Sequence, residues 1–570
     1  MNAVLAELAR RGTLVAPDAL ARLQAAPQLA EGLLARPDLP FLLTAAHLEA
    51  AAGVPAPVAP APTVFPASTG AALLLEPLVT APPAPARPEP PAPFTPDVRG
   101  ALLVEPEVPA PRRALGEPLP PRPTLMDAYA HQVEILADVT GNSTCEGAIS
   151  DFTKYFNDRL NKIRKMLRQR REMVGFVPVG RARAGGANEV KLVGIVTEIR
   201  TTKNGHRLIE LEDETGAVNI LAPASDANLL MEADTIIEDE VIGVVCKPPG
   251  RGDLLILQHV VRPDIPMAQS QRRSGNASAV AVLSDIHFGS KTFLSDDWER
   301  FLRWINLEWG DSRMKALARK VRYLVVNGDV VDGIGIFPGQ EEELAIVDAY
   351  DQYAFAGEQL NRIRDDVQIF VLPGNHDLVR PAEPQPALPE KYKRLFPDTV
   401  THVGNPCKLS IEGVEVLSYH GRSMDDWITR VSGLSYDDPI KAMKEMILRR
   451  HMVPVYGLRT PIAPEHKDYL AIDTVPDVFV TGHVHAAGVD SYRGVTLINA
   501  SCWQSQTAYQ KMHGFMPDPS KVPVFELDTG KPWMVDFHRG KPAGVDVVGR
   551  SQFGGAFRQP AEIANPGDVV

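Results

Sequence analysis

Cysteine is scarce in this sequence. The four present, Cys145, Cys246, Cys407 and Cys502, stand far apart with no Cys-x-x-Cys pair, which argues against a disulfide framework and against a cysteine zinc cluster. Long apolar runs are missing as well, and none approaches the roughly 20 residues that a membrane span needs. The opening MNAVLAELARRG has no apolar block followed by a small-residue cleavage site, so the chain is expected to be intracellular, in the cytoplasm, with no membrane partner. Nor is there an excess of positive charge. The formal net charge is −12 and the isoelectric point about 5.7, so any contact with nucleic acid must be local. A hydrophobic share of 44% and a mean hydropathy of −0.11 fit a globular chain, and 570 residues are more than one core usually holds, so several domains are expected.

What is present is a recurring pattern, an apolar strand that delivers a polar residue at its exit. Ala279 to His287 reads AVAVLSDIH, a short apolar run closed by turn residues and ending in Asp285 and His287. Residues i and i+2 of an extended chain lie on the same side, so the carboxylate and the imidazole can converge on one ion. Asp-x-His alone is a weak signal. Downstream, in order, YLVVNGD ends in Asp329, IFVLPGNHD in Asn375, His376 and Asp377, VEVLSYH in His420, and DVFVTGHVH in His483 and His485. Any one of these could be a strand followed by a polar turn; five in this order are much harder to reach by chance.

The series D-x-H, GD, GNHD, H and GHxH resembles the calcineurin-like metallophosphoesterases. The resemblance implies a two-layered β-sandwich flanked by helices and holding two metal ions. Carried over residue by residue, it implies that Asp285, His287 and His485 hold one ion, that Asn375, His420 and His483 hold the other, and that Asp329 bridges them. His376, next to a ligand but assigned to neither ion, is then the general acid, and Asp377 either orients its imidazole or stabilises the turn. Mixed imidazole and carboxylate ligands suit manganese, with iron or zinc as alternatives, better than magnesium.

The rest of the chain divides by composition. Residues 1–50 carry apolar residues at spacings of three and four and read as a small helical module. Residues 51–123 are rich in Pro and Ala and read as an extended linker. Residues 124–174 read as a helical segment. In it, after Ser150 as cap, Phe152, Phe156, Leu160, Ile163 and Leu167 fall on one face while Lys162, Arg164, Lys165 and Arg168 populate the others; so dense a basic run is a candidate surface for DNA or an acidic partner. Residues 175–268 read as an all-β unit with strands at 190–200, 207–212, 217–222, 241–246 and 254–261, a hairpin at Lys203-Asn-Gly and a hairpin tip at Arg251-Gly-Asp. This unit resembles an OB-fold β-barrel. It has no Phe, Tyr or Trp between Val190 and Pro263, which favours a structural barrel over a base-stacking groove. Residues 269–545 form the phosphoesterase domain, and residues 546–570 a Gly-rich tail.

An OB-like module directly before such a phosphoesterase, with phrases such as LSDIHFGSKTF, NGDVVDGIGIFPGQ and LSYHGRSMDDWI, resembles the small-subunit family of archaeal family-D DNA polymerases. The resemblance implies a 3′→5′ exonuclease working with a large catalytic polymerase chain and DNA, with a sliding clamp or primase as further partners. Trp503 and Phe515, in a segment that also holds Tyr509, Met512 and Met516, are candidates for contact with the large chain, or else cover the edge of their own sheet. Two other readings stand beside this one: an architectural subunit without nuclease activity, and a stand-alone phosphoesterase.

Overall fold

A computed structural model of the chain describes residues 119–182, 188–248, 254–267, 270–538 and 546–547 and, nearer the N-terminus, Leu14–Val15, Leu23 and Leu42–Leu43. Leu14–Val15 pairs in parallel with Leu42–Leu43. Otherwise the expected N-terminal module, the linker up to residue 118, the Arg251-Gly-Asp tip and most of the C-terminal tail lie outside the described residues. No helix among the described residues is long and apolar enough to cross a membrane.

Alternation decides how the motif-bearing strands pack. In Ala279–Leu283, Val280 and Val282 enter one apolar cluster while Ala279, Ala281 and Leu283 enter another, as expected for a strand covered on both faces. This strand is central in a seven-stranded sheet, between Val321–Asn327, which is parallel to it, and Lys521–Glu526, which is antiparallel. Gln368–Leu372 and Val400–His402 continue the parallel side. A second sheet of six strands is ordered Gly488–Tyr492, Val495–Asn499, Val478–Thr481, Val414–Ser418, Cys407–Ile411, Val133–Ala137. Val280, Val282 and Val325 from the first sheet share a cluster with Leu409, Val416 and Val480 from the second, so the sheets pack face to face. Outside the first sheet lie the helices Ser295–Ile305 and Ala349–Asn361, and outside the second Met424–Arg430 and Pro439–Arg449.

The five strands Val190–Thr201, Arg207–Asp213, Gly216–Ala222, Val241–Lys247 and Leu255–Val261 close into a barrel in the order first, second, third, fifth, fourth. The helix Ala227–Asp234 stands between the third and the fourth. All five follow the expected strands to within a residue, and the Lys203-Asn-Gly turn is closed by Gly205 N–H donating to Thr202 O over 2.9 Å. Mixed α/β architecture with two sheets and a closed five-stranded barrel is therefore the observed fold.

Three expectations for residues 124–174 are corrected. The segment is not wholly helical: Val133–Ala137 is the edge strand of the six-stranded sheet, antiparallel to Cys407–Ile411. The helix runs Ile149–Leu167 with Ala148, not Ser150, at its cap, and Asp151 accepts from the Ala148 and Glu146 amides at 3.1 Å. Its basic face is also partly consumed within the fold. Lys162 Nζ lies 2.7 Å from Asp158 and donates to Asp468 O over 2.6 Å, and Arg164 pairs with Glu214. These acids lie far off in sequence or on the same helix, and pairing with them leaves Lys165 and Arg168 exposed. Arg159 is buried outright. Its Nε is 3.1 Å from Asp468 Oδ2, to which His451 Nε2 also comes within 2.8 Å, and its Nη1 donates to Asp239 O at the barrel over 3.0 Å.

Trp503 does not offer a contact surface. It is 1% exposed, and its ring centroid lies 5.0 Å from that of Trp298 and 5.5 Å from that of Phe301. The sequence around it, interrupted by Gly and Pro, looked like surface because these partners lie some two hundred residues away. Trp503→Ala should accordingly destabilise the full chain by about 3–5 kcal/mol, read as a lower denaturant midpoint. A change within about 0.5 kcal/mol, the range of surface substitutions, would contradict the packing.

Candidate metal centre

The exits of the strands Ala279–Leu283, Val321–Asn327, Gln368–Leu372, Val414–Ser418 and Val478–Thr481 are stitched to one another by backbone hydrogen bonds. Asp285 N–H donates to Gly328 O over 3.0 Å, His287 N–H to Asp329 O over 3.1 Å, and Gly482 N–H to His420 O over 2.7 Å. Each central carboxylate is then fixed through one oxygen. Asp285 Oδ2 accepts from His483 N–H and Asp329 Oδ1 from His376 N–H, both at 2.8 Å. That leaves Asp285 Oδ1 buried without a hydrogen-bond partner and Asp329 Oδ2 turned to the cluster, 3.3 Å from His420 Nε2 and 3.9 Å from His287 Nε2.

Two groups of donor atoms result, each drawn together within 4.8 Å: Asp285, His287 and His485, and Asp329, His420 and His483. His420 Nδ1 is 3.0 Å from the Asn327 carbonyl, which can only accept, so Nδ1 carries the proton and the Nε2 lone pair points at Asn375 Oδ1, 3.1 Å away. His287 Nε2 and His485 Nε2 are 3.3 Å apart. Acceptor atoms at such distances repel unless a proton or a cation lies between them, so the residues present fit metal ions. Asn375 completes the second group through its amide oxygen. All seven expected ligand positions thus come together.

A third group, His287, Asp332 and His376, shares His287 with the first. Asp332 Oδ1 stands 3.0 Å from His287 Nδ1 and also accepts from Gln504 Nε2 at 3.0 Å, so this carboxylate holds the imidazole from behind. Asp425 does the same on the other side, 3.5 Å from His483 Nε2. The sequence reading missed both. Asp332 sits three residues after Asp329 in NGDVVD and Asp425 five after His420 in HGRSMD, so position after a ligand was the one available signal. Asp377 does not touch the His376 ring. Its oxygens accept from the Gly374 amide at 2.8 Å and the Tyr353 hydroxyl at 2.9 Å, so it stabilises the turn, and His376 Nδ1 is held instead by the Asp332 carbonyl at 2.7 Å. Phe515 lines the cavity in front of the cluster.

The backbone bears the cost of this convergence. Asp285, His287, Asp329, His483 and His485 all have positive φ, between 49° and 70°, a region that costs a non-glycine residue roughly 1–3 kcal/mol. Glycines make room beside them. At Gly374 a Cβ would collide with Asp329 Oδ1, and at Gly328 with His420 Nδ1.

Charges within the cluster are strongly coupled. Burial pushes the Asp285 carboxyl up, but the neighbouring His485 outweighs it and holds the group down to about 2. Asp329 is driven the same way by His420 and His376 against its burial. Burial opposes charge on His420 while Asp329 favours it, and the result is a ring raised to about 10. Burial and the charge of Asp329 lift Asp377 to about 6.

Residues 280–488 match the family of the DNA polymerase alpha/epsilon B subunit, which sets the chain among the B-type subunits of DNA polymerases. Over 393 residues it is 44% identical to the DNA polymerase II small subunit of Archaeoglobus fulgidus, covering 69% of this chain and 78% of that one. The Methanothermobacter thermautotrophicus protein of the same name is 42% identical, over 71% of this chain and 83% of its own, and that of Methanocaldococcus jannaschii 40% identical, over 69% and 66%. The chain belongs to the family of DNA polymerase II small subunits.

Two outcomes follow for the cluster. Near pH 7 the ion-free His420 ring, raised to about 10, carries a proton that a metal must displace. Uptake of Mn²⁺ should therefore release protons, and apparent affinity should rise about tenfold per pH unit for each proton displaced, levelling above pH 10. Calorimetry in buffers of different ionisation enthalpy measures this, and uptake with no proton release would remove His420 from the ligands. Gly374→Ala should push Asp329 out of place and cut metal content in elemental analysis by at least half while leaving the fold intact by circular dichroism; full occupancy would show that the turn has slack.

Proposed function

We propose that this chain is the nuclease-bearing small subunit of a heteromeric replicative DNA polymerase, removing nucleotides from DNA 3′ ends by phosphodiester hydrolysis at a two-ion centre. The observation that carries this reading is the undiminished ligand set: three carboxylate or amide oxygens and four imidazoles converge, with Asp285 Oδ1 left without a protein partner. An architectural subunit has no use for five strained backbone positions at its ligands. The sandwich with ligands at its strand exits supports a calcineurin-like phosphoesterase domain over residues 269–545. The strand order of the barrel, with its helix before the fourth strand, supports an OB-fold over residues 175–268. Membership of the small-subunit family supports a large catalytic chain and DNA as partners.

When bound, two divalent ions, manganese by preference, offset the charge of the phosphate and lower the pKa of the attacking water. The remaining work falls to the chain. Asp285 and Asp329, each pinned through one oxygen, keep the other in place without rearrangement. His376 donates Nδ1–H to the Asp332 carbonyl, 2.7 Å away, so a second proton can reside only on Nε2. His376 lines the cavity, and from Nε2 the protonated ring can pass that proton to the departing sugar oxygen as the bond between phosphorus and that oxygen breaks.

His376→Ala should lower cleavage of a 3′-mismatched primer at least a hundredfold and leave metal content unchanged, whereas Asp329→Ala should lose both. A 5′-labelled single strand should shorten stepwise. Mononucleotides appearing first from the 5′ label, or good activity on a phosphopeptide with none on DNA, would defeat the assignment.

A further inference from the structure

The ligand cluster opens into a cavity of about 530 Å³ whose walls do more than hydrolysis requires. No lysine or arginine is among the described residues that line it, and its polar lining away from the cluster includes Glu343, Asp437 and Asp518. The remainder is apolar, with Ile336, Phe337, Phe515 and Met516 prominent. Met516 is 74% exposed and Ile336 40% exposed, a high exposure for side chains of this kind beside a polar centre. The aromatic part is tied to the cluster. Phe515 packs on Tyr436 with ring centroids 4.4 Å apart, the Tyr436 hydroxyl donates to Asp425 over 2.9 Å, and Asp425 supports His483.

A DNA strand brings phosphates, sugars and flat bases into such a cavity. Phosphates beyond the one at the ions meet carboxylates and no fixed cation, so the usual electrostatic grip on the backbone is missing. Only the bases find matching surface, because aromatic and thioether side chains stack on any base. We propose that Phe515 and Met516, with Ile336 and Phe337 lining the same cavity, form a stacking subsite for the unpaired terminal base of a DNA 3′ end, one that grips the base without reading its identity. This rests on the nuclease reading and deepens it. A base still paired in a duplex cannot offer its face to the wall, so the subsite would favour frayed or mismatched ends over matched ones.

The test uses the full chain with Ca²⁺ and a short single strand carrying 2-aminopurine as its 3′-terminal base, beside the same strand with an abasic 3′ terminus. Stacking should quench the 2-aminopurine fluorescence, and the base-bearing end should bind about tenfold more tightly than the abasic one. That difference should change little between low and moderate salt. Phe515→Ala combined with Met516→Ser should reduce it towards one, and Phe515→Leu, which keeps the apolar volume without the ring, should reduce it partway. Equal binding of the two ends by the native chain, or a tenfold difference that survives the double substitution, would overturn the subsite. So would a double variant that keeps the difference but loses co-purification with a polymerase large chain, since the wall would then be a protein contact. Base-dependent binding without hydrolysis of any 3′ end in Mn²⁺ would overturn the nuclease reading and support the subsite.

Discussion

Buried carboxylate oxygens and imidazole nitrogens face one another across 3.1–3.9 Å at the strand exits, and such an array is repulsive until protons or cations lie within it. The surrounding structure is arranged to tolerate that repulsion. Backbone amides hold one oxygen of each carboxylate, the Asp332 and Asp425 carboxylates and the Asn327 carbonyl hold imidazoles from behind, and the left-handed exits aim side chains that an ordinary turn would send elsewhere. Remove the positive charge and little local reason remains for the chain to accept these conformations. The strain and the charge are thus two sides of one arrangement.

Much of this was legible because it is local in sequence. The alternation of Val280 and Val282 against Ala281 and Leu283, and the Asp, Asn or His at each exit, follow from period two and from where strands stop. What escaped reading depends on partners far away. Trp503 is core because Trp298 and Phe301 reach it. Lys162 and Arg164 lose their freedom to Asp468 and Glu214. Asp332 and Asp425 carry no motif of their own, since their value comes from standing behind His287 and His483. Asp377 shows the converse: its neighbour in the chain, His376, is not its partner in space.

The joint between the barrel and the sandwich is polar where an apolar seam would have sufficed. Arg159 spans Asp468 and the Asp239 carbonyl, and Arg449 reaches Glu240 at 2.5 Å and the Thr235 carbonyl at 2.6 Å. Buried ion pairs of this kind contribute little net stability against well-packed apolar residues. Their directional demands are strict, however, and they fix how the barrel is rotated on the sandwich. Whatever the barrel touches is therefore held at a set orientation to the metal cluster.

The strand Val133–Ala137 has a bearing on how the protein comes into being. It leaves the ribosome well before Cys407–Ile411, beside which it must lie; nearby, Tyr129 donates to Glu412, 283 positions further on. At ordinary rates of synthesis that interval is on the order of tens of seconds. Through it the nascent chain carries an apolar strand with no neighbour, Ile135 and Leu136 included, while the barrel that follows can already close. The six-stranded sheet is then finished from its outermost member inward, by a segment that has waited for most of translation.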